Sequence, residues 1–280
     1  MIQLSAFADE ISPDLDEQIR VCKENSVTHV ELRGVNNINV LDFNASLRNE
    51  IKSKLGAHGM GVIAIGSPIG KVKISDPWPA HFDRFKTAVE LGQFFNAPFI
   101  RIFSYYPPGN RGEDMSAHRA EVLRRMQAKV DYIKNMNVIL VHENEQHIYG
   151  DRGAPCLDLM KSINSPKFRF AFDFANFVQS GDDPLKNWPM LKPYTVHIHI
   201  KDAKKGTGQV TPAGQGDGQL VPILTDAIKS GYKGFFSLEP HLAKHELLSG
   251  FSGPDLFKVA ADALKKLCRE NNIPLAGVSN

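Results

Sequence analysis

The feature that most restricts this chain is an alternation repeated eight times. Short β-branched or aromatic runs begin near Ile2, His29, Val62, Phe99, Val138, Phe168, Thr195 and Gly234. Stretches of helical periodicity follow each of them, near Asp14, Asn44, Pro79, Met115, Pro155, Pro184, Pro222 and Pro254. Strands separated by helices run parallel, because each helix carries the chain back to the edge from which the strand started. Eight such units in 280 residues leave about 35 residues each, room for a strand, a helix and two connections. No Gly/Ser-rich linker divides the series, and no dinucleotide fingerprint marks an open doubly wound sheet. The expected fold is therefore an α/β protein, a closed (β/α)8 TIM barrel, occupying residues 1–280 as one domain. Ser12-Pro13-Asp14 offers a capping hydroxyl with Pro near the first helical turn, and Asp183-Pro184 and Gly253-Pro254-Asp255 repeat the logic.

Charge and cysteine content narrow the partners. Lys and Arg number 33 against 31 Asp and Glu, a formal net charge of +2, so no field draws the chain to nucleic acid or to an acidic membrane surface. Cys22, Cys156 and Cys268 are odd in number, far apart and without CxxC spacing. That argues against a disulfide framework or a zinc knuckle and for a reducing, cytoplasmic setting. No apolar run approaches the roughly 18 residues of a membrane span, and MIQLSAFADEIS turns acidic without a basic leader. The expected partner is a small molecule. Pairing into a homodimer is compatible with such a barrel, but no patch in the sequence decides it.

Strand parity then locates the chemistry. On the seventh strand Val196, Ile198 and Ile200 share one face and His197, His199 and Lys201 the other. The apolar face must meet the helices, so the polar face looks into the barrel, with Lys201 nearest the carboxyl end where barrels of this kind keep their active sites. The same parity points Ser237 and Glu239 inward on the eighth strand, and Ala171 and Asp173 on the sixth. On the fifth it points Ile139 and Val141 inward below Glu143 and Glu145. Glu143, Asp173, His199 and Glu239 thus crown four consecutive strands. Three carboxylates in one mouth raise each other's pKa values unless a cation sits among them. Oxygen donors with one imidazole suit one divalent ion, Mn2+ first, with Mg2+, Co2+ or Zn2+ as alternatives.

Taken in order, His142-Glu143-Asn144-Glu145, Asp173 in FAFDFANF, His199-Ile200-Lys201-Asp202, Gly216-Asp217-Gly218 and Leu238-Glu239-Pro240 carry a resemblance. The chain resembles the sugar phosphate isomerase/epimerase branch of the xylose isomerase-like barrels over nearly its whole length. The resemblance implies one divalent ion held by Glu143, Asp173, His199 and Glu239, with Glu143 and Glu239 on opposite faces of a bound sugar. Many relatives have a histidine three residues after the metal-binding aspartate. Here Asn176 stands there, able to hydrogen-bond a hydroxyl but not to act as acid or base. The sister endonuclease IV group uses three metals and further histidines that this chain lacks.

A dication that chelates a carbonyl and a neighbouring hydroxyl stabilises the enediolate left when the carbon between loses its proton. Glu143 and Glu239 are the expected acid and base. The expected activity is isomerisation or epimerisation of a keto sugar, sugar phosphate or related polyol. A lyase or dehydratase acting on an oxidised sugar or inositol, and a non-catalytic sugar-binding barrel, stand as alternatives.

Other side chains add expectations about the substrate. Glu145 lies beyond the ligand layer, within reach of substrate hydroxyls or exposed on its loop. Lys201 either neutralises an oxyanion or pairs with a neighbouring acid such as Asp202. Glu31, Arg33 and Arg101 read as buried charges that orient the ligand glutamates, with Arg101 also a candidate substrate contact. His241 is two residues past Glu239 and near the pocket, whereas His58 reads as structural. Gly66 to Lys71 forms a substrate-facing loop without the Walker spacing. The stretch from Ala203 to Gly218 is either a flexible connection or a substrate lid.

Overall fold

The eight β-branched runs do form strands: β1 (Gln3–Ala6), β2 (Val27–Leu32), β3 (Gly61–Ile65), β4 (Phe99–Ile102), β5 (Ile139–Glu143), β6 (Phe168–Asp173), β7 (Thr195–Ile200) and β8 (Phe235–Leu238). In this computed structural model, which describes residues 1–243 and 251–278, they close a parallel barrel in sequence order, with β1 paired to both β2 and β8. Outward side chains such as Phe170, Phe172, Ile198 and Phe236 are fully buried against the helices. Each contributes about 1.5–3 kcal/mol by leaving water. Inward positions carry the polar residues that parity assigns, with His197, His199 and Ser237 all inaccessible.

The expected helices follow as α1 (Leu15–Glu24), α2 (Ala45–Ala57), α3 (Trp78–Phe95), α4 (Arg119–Ile133), α5 (Gly153–Ile163), α7 (Pro184–Leu191), α8 (Leu220–Lys229) and α9 (Gly253–Glu270). A further short helix, α6 (Phe174–Gln179), continues directly from β6 and was not expected. Asp183 caps α7 as predicted. At α1 the cap is Asp14, whose carboxylate accepts from the Glu17 N–H at 2.8 Å. The Ser12 hydroxyl instead accepts from the Asp14 N–H at 3.1 Å, so the expected roles within Ser12-Pro13-Asp14 shift by two residues. His58 ends α2 on the surface, a ring nitrogen 2.9 Å from the Lys54 carbonyl. Cys22, Cys156 and Cys268 are buried free thiols. Among the described residues no helix is long and apolar enough to cross a membrane.

One buried lysine in the helical layer sets a pH dependence. Lys129 of α4 is inaccessible, its Nζ 2.5 Å from the Tyr105 hydroxyl and 4.6 Å from that ring's centre. Burial, aided by the nearby Arg125 charge, holds its pKa well below the ordinary lysine value. Between the lowered folded pKa and the ordinary lysine range the unfolded chain therefore binds more protons than the folded chain, so stability rises with pH across that window, by up to about 1.4 kcal/mol per pH unit. Lys129→Met is expected to flatten this slope in urea unfolding measured between about pH 7 and pH 9. An unchanged slope would show that Lys129 is charged in the folded protein.

Candidate metal centre

The carboxyl end of the barrel brings together Glu143 from the end of β5, Asp173 from the end of β6, His199 from β7 and Glu239 just past β8, all buried. One ligand atom from each lies within 4.8 Å of all the others. His199 Nδ1 faces the three carboxylates, at 3.2 Å from Glu143 Oε1, 3.7 Å from Glu239 Oε2 and 4.0 Å from Asp173 Oδ2. Its other nitrogen, Nε2, lies 3.1 Å from Glu31 Oε2. The same carboxylate oxygen meets His197 Nε2 at 2.8 Å and accepts from the Ser237 hydroxyl at 3.1 Å. With the proton on Nε2, the Nδ1 lone pair points at the carboxylate cluster.

Two observations show that this set fits a dication. Asp173 Oδ2 and His199 Nδ1 are buried without a hydrogen-bond partner, Lys201 Nζ meeting Asp173 Oδ2 at 3.1 Å only as an ion pair, an arrangement that native interiors rarely tolerate without an ion or water. The donor set is also the one that hard to borderline divalent ions select, and a carboxylate behind the imidazole is the usual support of a metal-ligating histidine. Without a cation the electrostatics are strained in the expected sense. Burial, reinforced by the charges of Glu143 and Glu239 and opposed by Lys201, raises the Asp173 pKa to about 7. Burial also works against the His199 imidazolium, yet Glu31 and Glu143 hold its pKa well above the ordinary value.

The residues around the four candidate ligands form a cationic frame. The Arg101 guanidinium lies 3.1 Å from Glu143 and 3.6 Å from Glu239, and donates to the Gly66 carbonyl. Arg33 reaches Asp9 at 2.7 Å, Glu239 at 3.4 Å and Glu10 at 3.7 Å. Both guanidiniums stack on the Phe7 ring. Glu31 therefore does not pair with Arg33. Its partners are the two histidines and Ser237, while the arginines steady the glutamates. Lys201 sits 3.1 Å from both Asp173 and Glu239, not against Asp202.

A cavity of about 600 Å³ opens above this frame and is lined by Arg101, Glu145, Lys201, Glu239 and His241. Glu145 pairs with Lys71 at 2.6 Å, so the loop from Gly66 to Lys71 does face the cavity. His241 Nε2 is 3.0 Å from Glu10 and 3.5 Å from Glu239. Asn176 departs from its expected place at the substrate. Its side-chain amide donates to Glu143 Oε1 at 3.1 Å and to the Asn144 carbonyl at 2.8 Å, because α6 turns it back under the ligand layer. It positions a glutamate. Glu10 was missed, although its place just past β1 is itself a strand-end signal. No residue of the Ala203 to Gly218 stretch lines this cavity, so the stretch is not a lid over it here. It contains a short hairpin and is pinned by the Asp202 carboxylate, which accepts the N–H groups of Ala203, Gly214, Gly216 and Gly218 at 2.8–3.0 Å. A second cavity of about 590 Å³, lined in part by His147, Arg152 and Gln179, includes none of the candidate ligands.

A single equivalent of Mn2+ is expected to raise the thermal midpoint of the purified protein, and EDTA to reverse the shift. A midpoint indifferent to Mn2+, Mg2+, Co2+ and Zn2+ would exclude a metal centre here.

Comparison with known proteins agrees with this architecture. A 3-dehydroshikimate dehydratase of Bacillus anthracis is 23% identical over 133 residues, 47% of this chain and 46% of that enzyme, so the match spans about half of each. The crystal structure of an IolI protein with a bound zinc atom superposes with a TM-score of 0.78 at 12% identity, covering 96% of this chain and 99% of that one. The 3-keto-D-glucoside 4-epimerase YcjR of E. coli gives 0.71 at 14% identity, covering 96% and 98%. At such identities the superpositions speak for the fold alone. The model of the xylose isomerase-like TIM barrel matches residues 19–267. With that span matched and the barrel closed as its sequence pattern requires, the chain belongs to the xylose isomerase-like TIM barrel family.

Proposed function

We propose that this protein catalyses proton transfer at the carbon next to a carbonyl in a keto sugar or related polyol, as a divalent-metal-dependent isomerase or epimerase. The observation that carries this reading is the convergence of Glu143 and Glu239, from β5 and the end of β8, on one imidazole at 3.2 and 3.7 Å beside a 600 Å³ cavity. When bound, a divalent ion polarises the carbonyl and an adjacent hydroxyl, which acidifies the carbon between them.

The chain's own groups account for the rest. Despite burial, the charges of the His199 imidazolium, for as long as no ion has displaced its proton, and of Arg101 hold the Glu143 pKa down to about 2, so this carboxylate is ionised and able to accept a proton. Asn176 and Arg101 fix its two oxygens separately, through Oε1 and Oε2. Glu239 is likewise ionised: burial opposes this, but the charges of Lys201 and His241 hold its pKa well below the ordinary value. A proton taken by one ionised glutamate and returned by that same glutamate to a neighbouring carbon gives isomerisation. For epimerisation the other glutamate would first take a proton from solvent and deliver it to the opposite face, while the first releases its proton to solvent. Lys201, 3.1 Å from Asp173 and Glu239, supplies fixed positive charge where negative charge develops on a substrate oxygen.

A second reading is elimination of water, favoured by the similarity to a dehydratase. Here the proton taken by a glutamate from the carbon next to the carbonyl is followed by loss of the hydroxyl on the carbon beyond it, as the new double bond forms between those two carbons. His241, on the cavity wall, would protonate that leaving group. Incubating Mn2+-loaded protein with keto sugars in deuterated water separates the possibilities. Deuterium at the carbon next to the carbonyl, read by NMR, is the expected result. An isomeric product favours the first reading, and a product lighter by one water the second. A sugar that binds without any exchange would leave a non-catalytic sugar-binding barrel and overturn both.

A further inference from the structure

The charges around the cavity bear on what the substrate can carry. Among the described residues, every lysine and arginine that faces the cavity is already paired with a carboxylate of the chain. Arg33 meets Asp9, Glu10 and Glu239, and Arg101 meets Glu143 and Glu239. Lys201 meets Asp173 and Glu239, and Lys71 meets Glu145 while its ammonium lies over the Phe103 ring at 4.4 Å. Glu31 beneath them is shared by two histidines. The four basic side chains, Arg33, Lys71, Arg101 and Lys201, therefore stand against seven carboxylates, a deficit of three positive charges. A bound dication reduces the deficit to one, so the described residues leave no positive charge over for a ligand.

A phosphate or carboxylate on the substrate would add negative charge to this already carboxylate-rich and largely buried set, and to seat itself on Lys71 it would have to face the Glu145 carboxylate. Like charges brought together in a desolvated site are costly. Among the described residues the remaining wall is neutral. A hairpin of Gly34–Val35 and Ile38–Asn39 forms the lip, with Asn36 and Asn37 at φ of 55° and 60°, the left-handed pair of a type I′ turn. It places the exposed residues Asn37 and Ile38 on the cavity wall.

We infer that the substrate is uncharged, a keto sugar or polyol without phosphate or carboxylate, bound through its hydroxyls and partly by Asn37. The inference refines the substrate class of the proton-transfer reading and rests on that reading for the reacting carbon only. The test is calorimetric titration of Mn2+-loaded protein with neutral ketopentoses and ketohexoses, each beside its phosphate ester and its carboxylate counterpart. Neutral sugars are expected to bind about tenfold or more tightly than their charged counterparts. Glu145→Gln, which leaves Lys71 without its carboxylate, is expected to narrow that gap, and Asn37→Ala to weaken the neutral sugars. A charged counterpart that binds as tightly as its neutral parent overturns the inference, as does a panel in which no neutral sugar binds. Neutral binding with no deuterium exchange would instead remove the proton-transfer reading and leave the charge argument standing.

Discussion

Replacing Glu31 by glutamine is expected to lower the affinity for a divalent ion about 10- to 100-fold, although Glu31 is not itself among the four convergent ligands. Its carboxylate is inaccessible, and one oxygen takes the Nε2 sides of His199 and His197 and the Ser237 hydroxyl. As an acceptor it keeps the His199 proton on Nε2 and leaves Nδ1 free to face Glu143, Asp173 and Glu239. A glutamine amide is a weaker acceptor, and if its NH2 group turns toward the histidines it favours the opposite tautomer, which puts a proton where the ion must bind. Competition against a fluorescent chelator measures the effect, and a thermal melt of the metal-free variant separates it from loss of the fold. Unchanged affinity in a folded variant would show that His199 needs no carboxylate behind it.

The contrast between Glu31 and its neighbours shows what strand periodicity can and cannot convey. Alternation along β7 is enough to send His197, His199 and Lys201 inward, because a strand offers only two faces and Val196, Ile198 and Ile200 claim the outer one. The eight-unit count follows from the same logic, and with it the barrel. Parity names a face, however, and not a partner. Glu31 and Arg33 point the same way along β2, yet the register of the closed barrel sets Glu31 level with His197 and Ser237 and lifts Arg33 to the level of Asp9 and Glu239. Helix α6 escaped for a different reason. Six residues are too few for a 3.6-residue pattern to declare itself, and Asp173 ends β6 while its Oδ1 accepts from the Asn176 N–H at 2.7 Å to begin the helix. That turn takes Asn176 away from the substrate side. Glu10 meets His241, 231 residues further on, a contact that no local pattern carries.

The glycines between Ala203 and Gly218 lead to the second large effect, a loss of about 3 kcal/mol or more on replacing Asp202 by alanine. Asp202 is inaccessible, and its two oxygens accept four backbone N–H groups, from Ala203 and Gly218 on one and from Gly214 and Gly216 on the other. Burial raises the pKa of this carboxyl, and the amide donors work against the rise. The chain must come so close that a Cβ on Gly216 would lie 2.4 Å from Asp202 Oδ1 and one on Gly218 2.7 Å from it. These glycines are therefore needed for the approach to the carboxylate and not for flexibility. Alanine would leave the four donors without their acceptor, and because Asp202 follows Lys201 directly, the loosened segment adjoins the ammonium that faces Asp173 and Glu239. Urea unfolding should show the lower stability, and limited proteolysis should show new cleavage between residues 204 and 218. Equal stability with an equally protected loop would mean that these hydrogen bonds do not hold the segment, and the spacing of Gly214, Gly216 and Gly218 would then need another cause.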